Sequence, residues 1–203
     1  MKSEADLLEE VIEQAVDGET AVATLLRKCR LLSERFGDES FTEWVLKELN
    51  GYDDWKGLPE YRVVHAGAKG FMVGPMGAQI NAQPLASVVL EEEHRHFAEK
   101  AFFRDAASAY ENLKEDGDGG YRVEWPADLV VKYQSSFIRN YALNRAWQDI
   151  PAYALRAIPE TVTNRILEFG LSLRKQFGDE LAGERAEIKE HVGSLVQTIL
   201  KGK

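Results

Sequence analysis

The side chains from which this chain could build a site are arginine, histidine, tyrosine and lysine, and they fall into two groups. The first group follows the junction Glu48-Leu49-Asn50-Gly51-Tyr52 and runs through Tyr61-Arg62 to Lys69. The planar guanidinium of Arg62 suits a phosphate or carboxylate, or one of the many acidic side chains of the chain itself. Tyr52 and Tyr61 each offer an apolar ring with a polar tip. Lys69 stands among Gly67, Gly70, Gly74 and Gly77, which invites a phosphate-loop reading, but that loop needs G-x-x-x-x-G-K-[ST] leading into a helix. Neither spacing nor context fits, so these glycines are read as the turns and bends of a hairpin. Tyr52, Tyr61, Arg62 and Lys69 are the candidate binding residues.

The second group could do acid–base chemistry: His65, His94 and Arg95, or Arg185 with His191. Histidine titrates near neutral pH and suits that work. The run Glu91-Glu92-Glu93-His94-Arg95-His96 also offers metal ligands. On a helix, however, positions two apart lie ~200° around the axis, so His94 and His96 cannot share an ion as an i, i+4 pair could. A solvated helix start, with carboxylates favoured near its N-terminus, is the simpler account. Arg185 and His191 stand at an R-x5-H spacing that resembles the motif of the all-helical HEPN ribonucleases. Six positions turn a straight helix by ~240°, so the two diverge unless a kink or a dimer partner brings them together. The single Cys29 lies in an apolar helical stripe, which excludes an intramolecular disulfide and a cysteine-rich zinc site. No G-x-S-x-G elbow, H-E-x-x-H helix or dinucleotide fingerprint occurs. Neither a cofactor nor a metal is expected.

These residues must be held by elements that the patterning predicts. A chain of 203 residues with 44% hydrophobic and 29% charged residues can bury a sizeable core. Its net charge of −9 opposes the phosphate backbone and disfavours nucleic acid as a partner. The fold class is α+β: a three-helix N-terminal segment, a small glycine-punctuated β-sheet, and long central and C-terminal helices. The first helix starts at an N-cap, Ser3, and carries Leu7, Leu8, Val11, Ile12 and Ala15 on one face. The second places Leu25, Leu26, Cys29, Leu32 and Phe36 in a stripe and stops at Gly37. The third carries Phe41, Trp44, Val45 and Leu49 inward and ends where Gly51 can take left-handed angles. Residues 61–65, 70–74, 76–85 and 121–125 read as strands, and residues 91–114 as a helix. Residues 141–150 and 152–158, broken by Pro151, read as strands flanking a turn. Residues 159–177 and 184–200 read as helices.

Four landmarks in order carry a resemblance: Lys47-Glu48-Leu49-Asn50-Gly51-Tyr52, Leu58-Pro59-Glu60-Tyr61-Arg62, Gly70-Phe71-Met72-Val73-Gly74-Pro75-Met76-Gly77 and Val162-Thr163-Asn164-Arg165-Ile166-Leu167-Glu168-Phe169. Together they resemble the AbiTii family of bacterial abortive-infection proteins over roughly residues 7–177. The resemblance implies antiphage defence, in which an infected cell arrests or dies before phage is released. It implies no reaction that could be assigned residue by residue. The expected organisation is an AbiTii-like α+β domain over residues 1–178 and a helical extension over 179–203. The expected mode of action is contact with a protein partner or a second copy, as a sensor or effector-regulating module. The alternative is an enzymatic toxin, such as a ribonuclease, whose Arg/His site assembles only in the fold. With no signal-peptide pattern and no apolar run of ~18 residues, a cytoplasmic location is expected.

Overall fold

Helix α1, Glu4–Asp17, begins with a reciprocal cap: the Asp6 amide donates to the Ser3 hydroxyl and the Ser3 amide donates to the Asp6 carboxylate. It ends at Gly18, in the left-handed region at φ 71°. Helix α2, Val22–Phe36, closes at Gly37 in the same way. Helix α3, Glu39–Asn50, starts where the Asp38 side chain accepts from the Phe41 amide at 2.7 Å, and ends at Gly51. All three expected helices are present with their apolar stripes buried, except that Leu49 is only partly buried and Glu48 is buried beside it. The computed structural model describes residues 3–113, 120–178 and 185–201.

The chain forms two compact units: Met1–Arg62, Arg104–Leu113 and Arg156–Lys203 make the first, and Val63–Phe103 with Lys114–Leu155 make the second. In the first, the buried faces of α1, α2 and α3 share one core with Val162, Ile166, Phe169 and Leu173. The rings of Phe41 and Phe169 meet at 4.6 Å between centroids. Fully burying a side chain such as Phe41 contributes about 1.5–3 kcal/mol. Helix α6, Arg185–Leu195, continues into a π-helical turn at Val196–Leu200, and Ile188, Val192, Val196 and Leu200 join the same core.

The second unit holds two antiparallel sheets. Strands β1, Val63–His65, and β4, Lys100–Phe102, pair with each other. The other sheet has the order β3-β2-β6-β5, from β2, Ala68–Val73; β3, Gln79–Leu85; β5, Gly120–Glu124; and β6, Ala142–Pro151. The glycine-spaced hairpin is β2–β3. Gly70 has a packing reason: a Cβ there would lie 2.5 Å from Leu143 Cδ1. A short helix α4, Ala127–Lys132, follows Pro126, and its Leu129 packs in a core with Met72, Trp125 and Leu143. No helix is long and apolar enough to cross a membrane among the described residues.

Three local expectations are corrected. Residues 91–114 do not form a helix: their described part is a 3-10 turn at Glu92–Ala98, strand β4, and a second 3-10 turn at Ala107–Tyr110. Pairing with β1 satisfies backbone groups of both strands, and this outweighs helix preferences of only a few tenths of a kcal/mol per residue. Residues 152–158 are not a strand but the first turns of α5, Ala152–Phe177, which runs on through Pro159. Ala152, Leu155, Ile158 and Val162 are buried at helical spacing, whereas an internal proline costs a helix about 3 kcal/mol and reads as a start signal. The strand expected from Tyr61 begins only at Val63, because Glu60–Arg62 is a 3-10 turn.

Candidate functional site

That last correction shapes the site. Successive side chains on a strand point to opposite faces, so Tyr61 and Arg62 could not serve one centre from a strand. From the 3-10 turn, whose Arg62 amide donates to the Pro59 carbonyl at 2.9 Å, both reach the same carboxylate. That carboxylate is Glu48, one helical step beyond Trp44 and Val45 on the buried face of α3. Glu48 and Arg62 are both 0% exposed.

Arg62 donates from Nη2 to Glu48 Oε2 at 2.5 Å and from Nε to Oε1 at 3.2 Å. Its Nη1 donates to the Asp105 carbonyl at 2.7 Å. Glu48 Oε1 also accepts from the Tyr52 and Tyr61 hydroxyls at 2.6 and 2.7 Å. The Arg62 guanidinium lies 4.8 Å from the Tyr52 ring centre, and Arg165 lies 4.6 Å from that of Tyr61. Trp44 Nε1 donates to the Tyr61 hydroxyl at 3.3 Å. Gly51 brings Tyr52 into this cluster by turning the chain so that the Tyr52 amide donates to the Arg104 carbonyl at 2.7 Å.

Burial is the largest influence on the two phenols and on Arg62. It pushes the Tyr52 and Tyr61 phenols far above their usual range, and the Glu48 carboxylate pushes them further. Burial lowers the Arg62 pKa, but the hydrogen bonds and charge of Glu48 more than reverse this, for a net rise. An expected outcome follows for alkaline solution. Unfolded tyrosines ionise near pH ~10, while these two stay protonated in the folded chain. Their contribution to stability is fully present below that pH and is lost as pH rises above it. The urea midpoint should therefore fall beyond about pH 10, and the 295 nm tyrosinate signal of Tyr52 and Tyr61 should appear only with unfolding. Ionisation of every tyrosine near pH ~10 in the folded state would contradict this cluster.

The other sequence candidates lie elsewhere. Lys69 is on β2 and pairs with Asp149 at 2.9 Å. His65 is exposed at the end of β1. His94 sits in a 3-10 turn with its Nδ1 at 2.9 Å from the Tyr133 hydroxyl, and Arg95 beside it is exposed. Glu91, Glu93 and His94 place ligand atoms within 4.8 Å of one another, with both glutamates exposed and Glu91 held by Lys132. His191 rests edge-on against Phe177, and the Arg185 side chain lies outside the described residues. Tyr52, Tyr61 and Arg62 are thus brought together, and Lys69, His65, His94 and Arg95 belong to the second unit.

Sequence reasoning missed Glu48 as a site residue, although a signal was present: a glutamate on the stripe Phe41, Trp44, Val45 must find a cation. Asp105, 43 residues beyond Arg62, carries no comparable signal. Two clefts open beside the cluster. One, about 510 Å³, is bordered by Leu46, Asn50, Asp53, Arg104 and Asp105. The other, about 330 Å³, is bordered by Trp44, Leu58, Pro59 and Lys201. Glu43, Lys47 and Tyr52 line both.

Fold and site together define an α+β protein whose polar landmark is a lock, a fully buried Glu48–Arg62 pair joined by the partly buried Tyr52 and Tyr61, with two clefts that share Tyr52 in their lining. The AbiTii family model matches residues 6–197, and the chain belongs to that family. With it comes a role in abortive infection, a bacterial defence against phage. No curated protein and no solved structure matches the chain.

Proposed function

We propose that the chain acts in abortive infection through contact with another polypeptide, as a sensing or effector-regulating module, and not through chemistry of its own. The observation that supports this reading is the complete occupation of the landmark's polar groups. Glu48 spends both oxygens on Arg62, Tyr52 and Tyr61 inside the protein, so none is presented to a substrate. A general base or phosphate-binding arginine must reach the atoms it serves. The lock instead stiffens the loop between α3 and the 3-10 turn.

The test uses bacteria expressing the chain under phage challenge. Protection is expected, and the chain should migrate in a larger assembly after infection. Alanine at His65, His94, Arg95, Arg185 and His191, singly, is expected to leave protection intact at equal soluble protein. Loss of protection in any of these with the fold retained would favour the enzymatic toxin, and a chain that stays uncomplexed while protecting would count against the contact reading.

A further inference from the structure

The smaller cleft has the character of a ligand site. Its volume of about 330 Å³ is within the range of small-molecule pockets, and its lining mixes apolar residues with the charged Glu43, Lys47, Glu60 and Lys201. Its apolar lining residues are Trp44, Tyr52, Leu58 and Pro59. Two of these are held rigidly: Trp44 is 1% exposed with its Nε1 engaged by Tyr61, and Tyr52 is pinned to Glu48.

Polar groups converge on one side. Glu43 takes Lys47 Nζ at 2.6 Å and Lys201 Nζ at 3.6 Å, so two ammonium groups share one carboxylate. Each ammonium carries three donors, more than the shared carboxylate occupies. Lys47 is 43% and Lys201 25% exposed, so both can turn toward an incoming group without unfolding anything. Glu60, exposed at the start of the 3-10 turn, also lines the cleft. Lys47 chiefly, through its hydrogen bond, holds the Glu43 carboxyl below its usual range, which keeps it the internal competitor for the two lysines at neutral pH.

We propose that this cleft binds a small molecule with a flat apolar body and one anionic group, a carboxylate or a phosphate. The body lies against the partly exposed Tyr52 and Leu58, with the buried Trp44 and Pro59 fixed behind them, and the anion bridges Lys47 and Lys201 in place of Glu43. The site requires no protein partner and is tested on the isolated full chain.

Calorimetric titration at low salt uses two anionic probes, indole-3-acetate and adenosine 5′-monophosphate, each against its neutral counterpart, indole-3-acetamide or adenosine. At least one anion is expected to bind about tenfold or more tighter than its neutral partner. Which anion wins distinguishes carboxylate from phosphate. Lys47→Met and Lys201→Met should each weaken that probe about threefold, and Lys175→Met on α5 should leave it unchanged. Glu43→Gln is the sharper variant, because it removes the competitor and should strengthen the anion about threefold. A simple loss of folding cannot produce a gain. Equal binding of charged and neutral probes, no binding of either anion, or weaker binding in Glu43→Gln would overturn the site.

Discussion

Arg62→Met is expected to lower the unfolding free energy by about 3–5 kcal/mol, read from urea denaturation near neutral pH. Methionine preserves most of the apolar volume, so the loss is not that of a cavity. The cause is the charge left behind: Glu48 is 0% exposed, and the only donors remaining to it among those described are the Tyr52 and Tyr61 hydroxyls, which carry no compensating charge. The Asp105 carbonyl loses its guanidinium donor as well. Desolvating two ions costs much of what their attraction returns, so the pair adds little net stability, yet breaking it from one side is severe. The double variant Glu48→Met with Arg62→Met should therefore recover at least half of the summed single losses, a coupling that a double-mutant cycle measures. Domains of this size are commonly stable by only about 5–15 kcal/mol, so Arg62→Met alone should also reduce soluble yield. A loss below about 1 kcal/mol, or strictly additive variants, would mean that water or another group balances Glu48.

Gly51→Ala is the second large effect, expected at about 2–4 kcal/mol. Gly51 sits at φ 95° and ψ 175°, a region open essentially to glycine alone. The added Cβ would lie 2.8 Å from the Arg104 carbonyl oxygen, a backbone atom that cannot swing away as a side chain would. Moving that carbonyl also strains the 2.7 Å bond it accepts from the Tyr52 amide, and with it the delivery of Tyr52 to Glu48. Gly37→Ala supplies the comparison. Gly37 also has positive φ, at 67°, but an added Cβ meets nothing within 4 Å, so only the left-handed backbone penalty of about 1–2 kcal/mol applies. Urea midpoints of the two variants decide the matter, and a Gly51→Ala loss no greater than that of Gly37→Ala would show that the Arg104 segment yields freely.

The lock was half legible. Tyr52, Tyr61 and Arg62 could be chosen because their side-chain chemistry suits recognition, and Gly51 could be placed because a helix ending in Asn-Gly invites an unusual backbone angle. Their common partner was hidden by its own position: Glu48 stands in an apolar stripe, where the eye follows Trp44 and Val45. Reading Tyr61 and Arg62 as a strand further obscured the cluster, since alternation would have sent them to opposite faces. The expected helix over residues 91–114 failed for a different reason. Its composition favours a helix locally, and the demand of β1 for a partner strand is not local.

Sequence alone determined the three N-terminal helices, the cap at Ser3, the stops at Gly37 and Gly51, the β2–β3 hairpin, and family membership through the order of the landmarks. These depend on side-chain periodicity, capping hydrogen bonds and glycine angles, which act over a few residues. Tertiary structure alone decided that the landmarks close on Glu48, that Asp105 completes the shell around Arg62, and that Lys47 and Lys201 face one carboxylate across a cleft. The longer of those pairings, Arg62 with Glu48, Arg62 with Asp105 and Lys201 with Glu43, join residues from 14 to more than a hundred positions apart, and burial in a shared core supplies the free energy that brings them together.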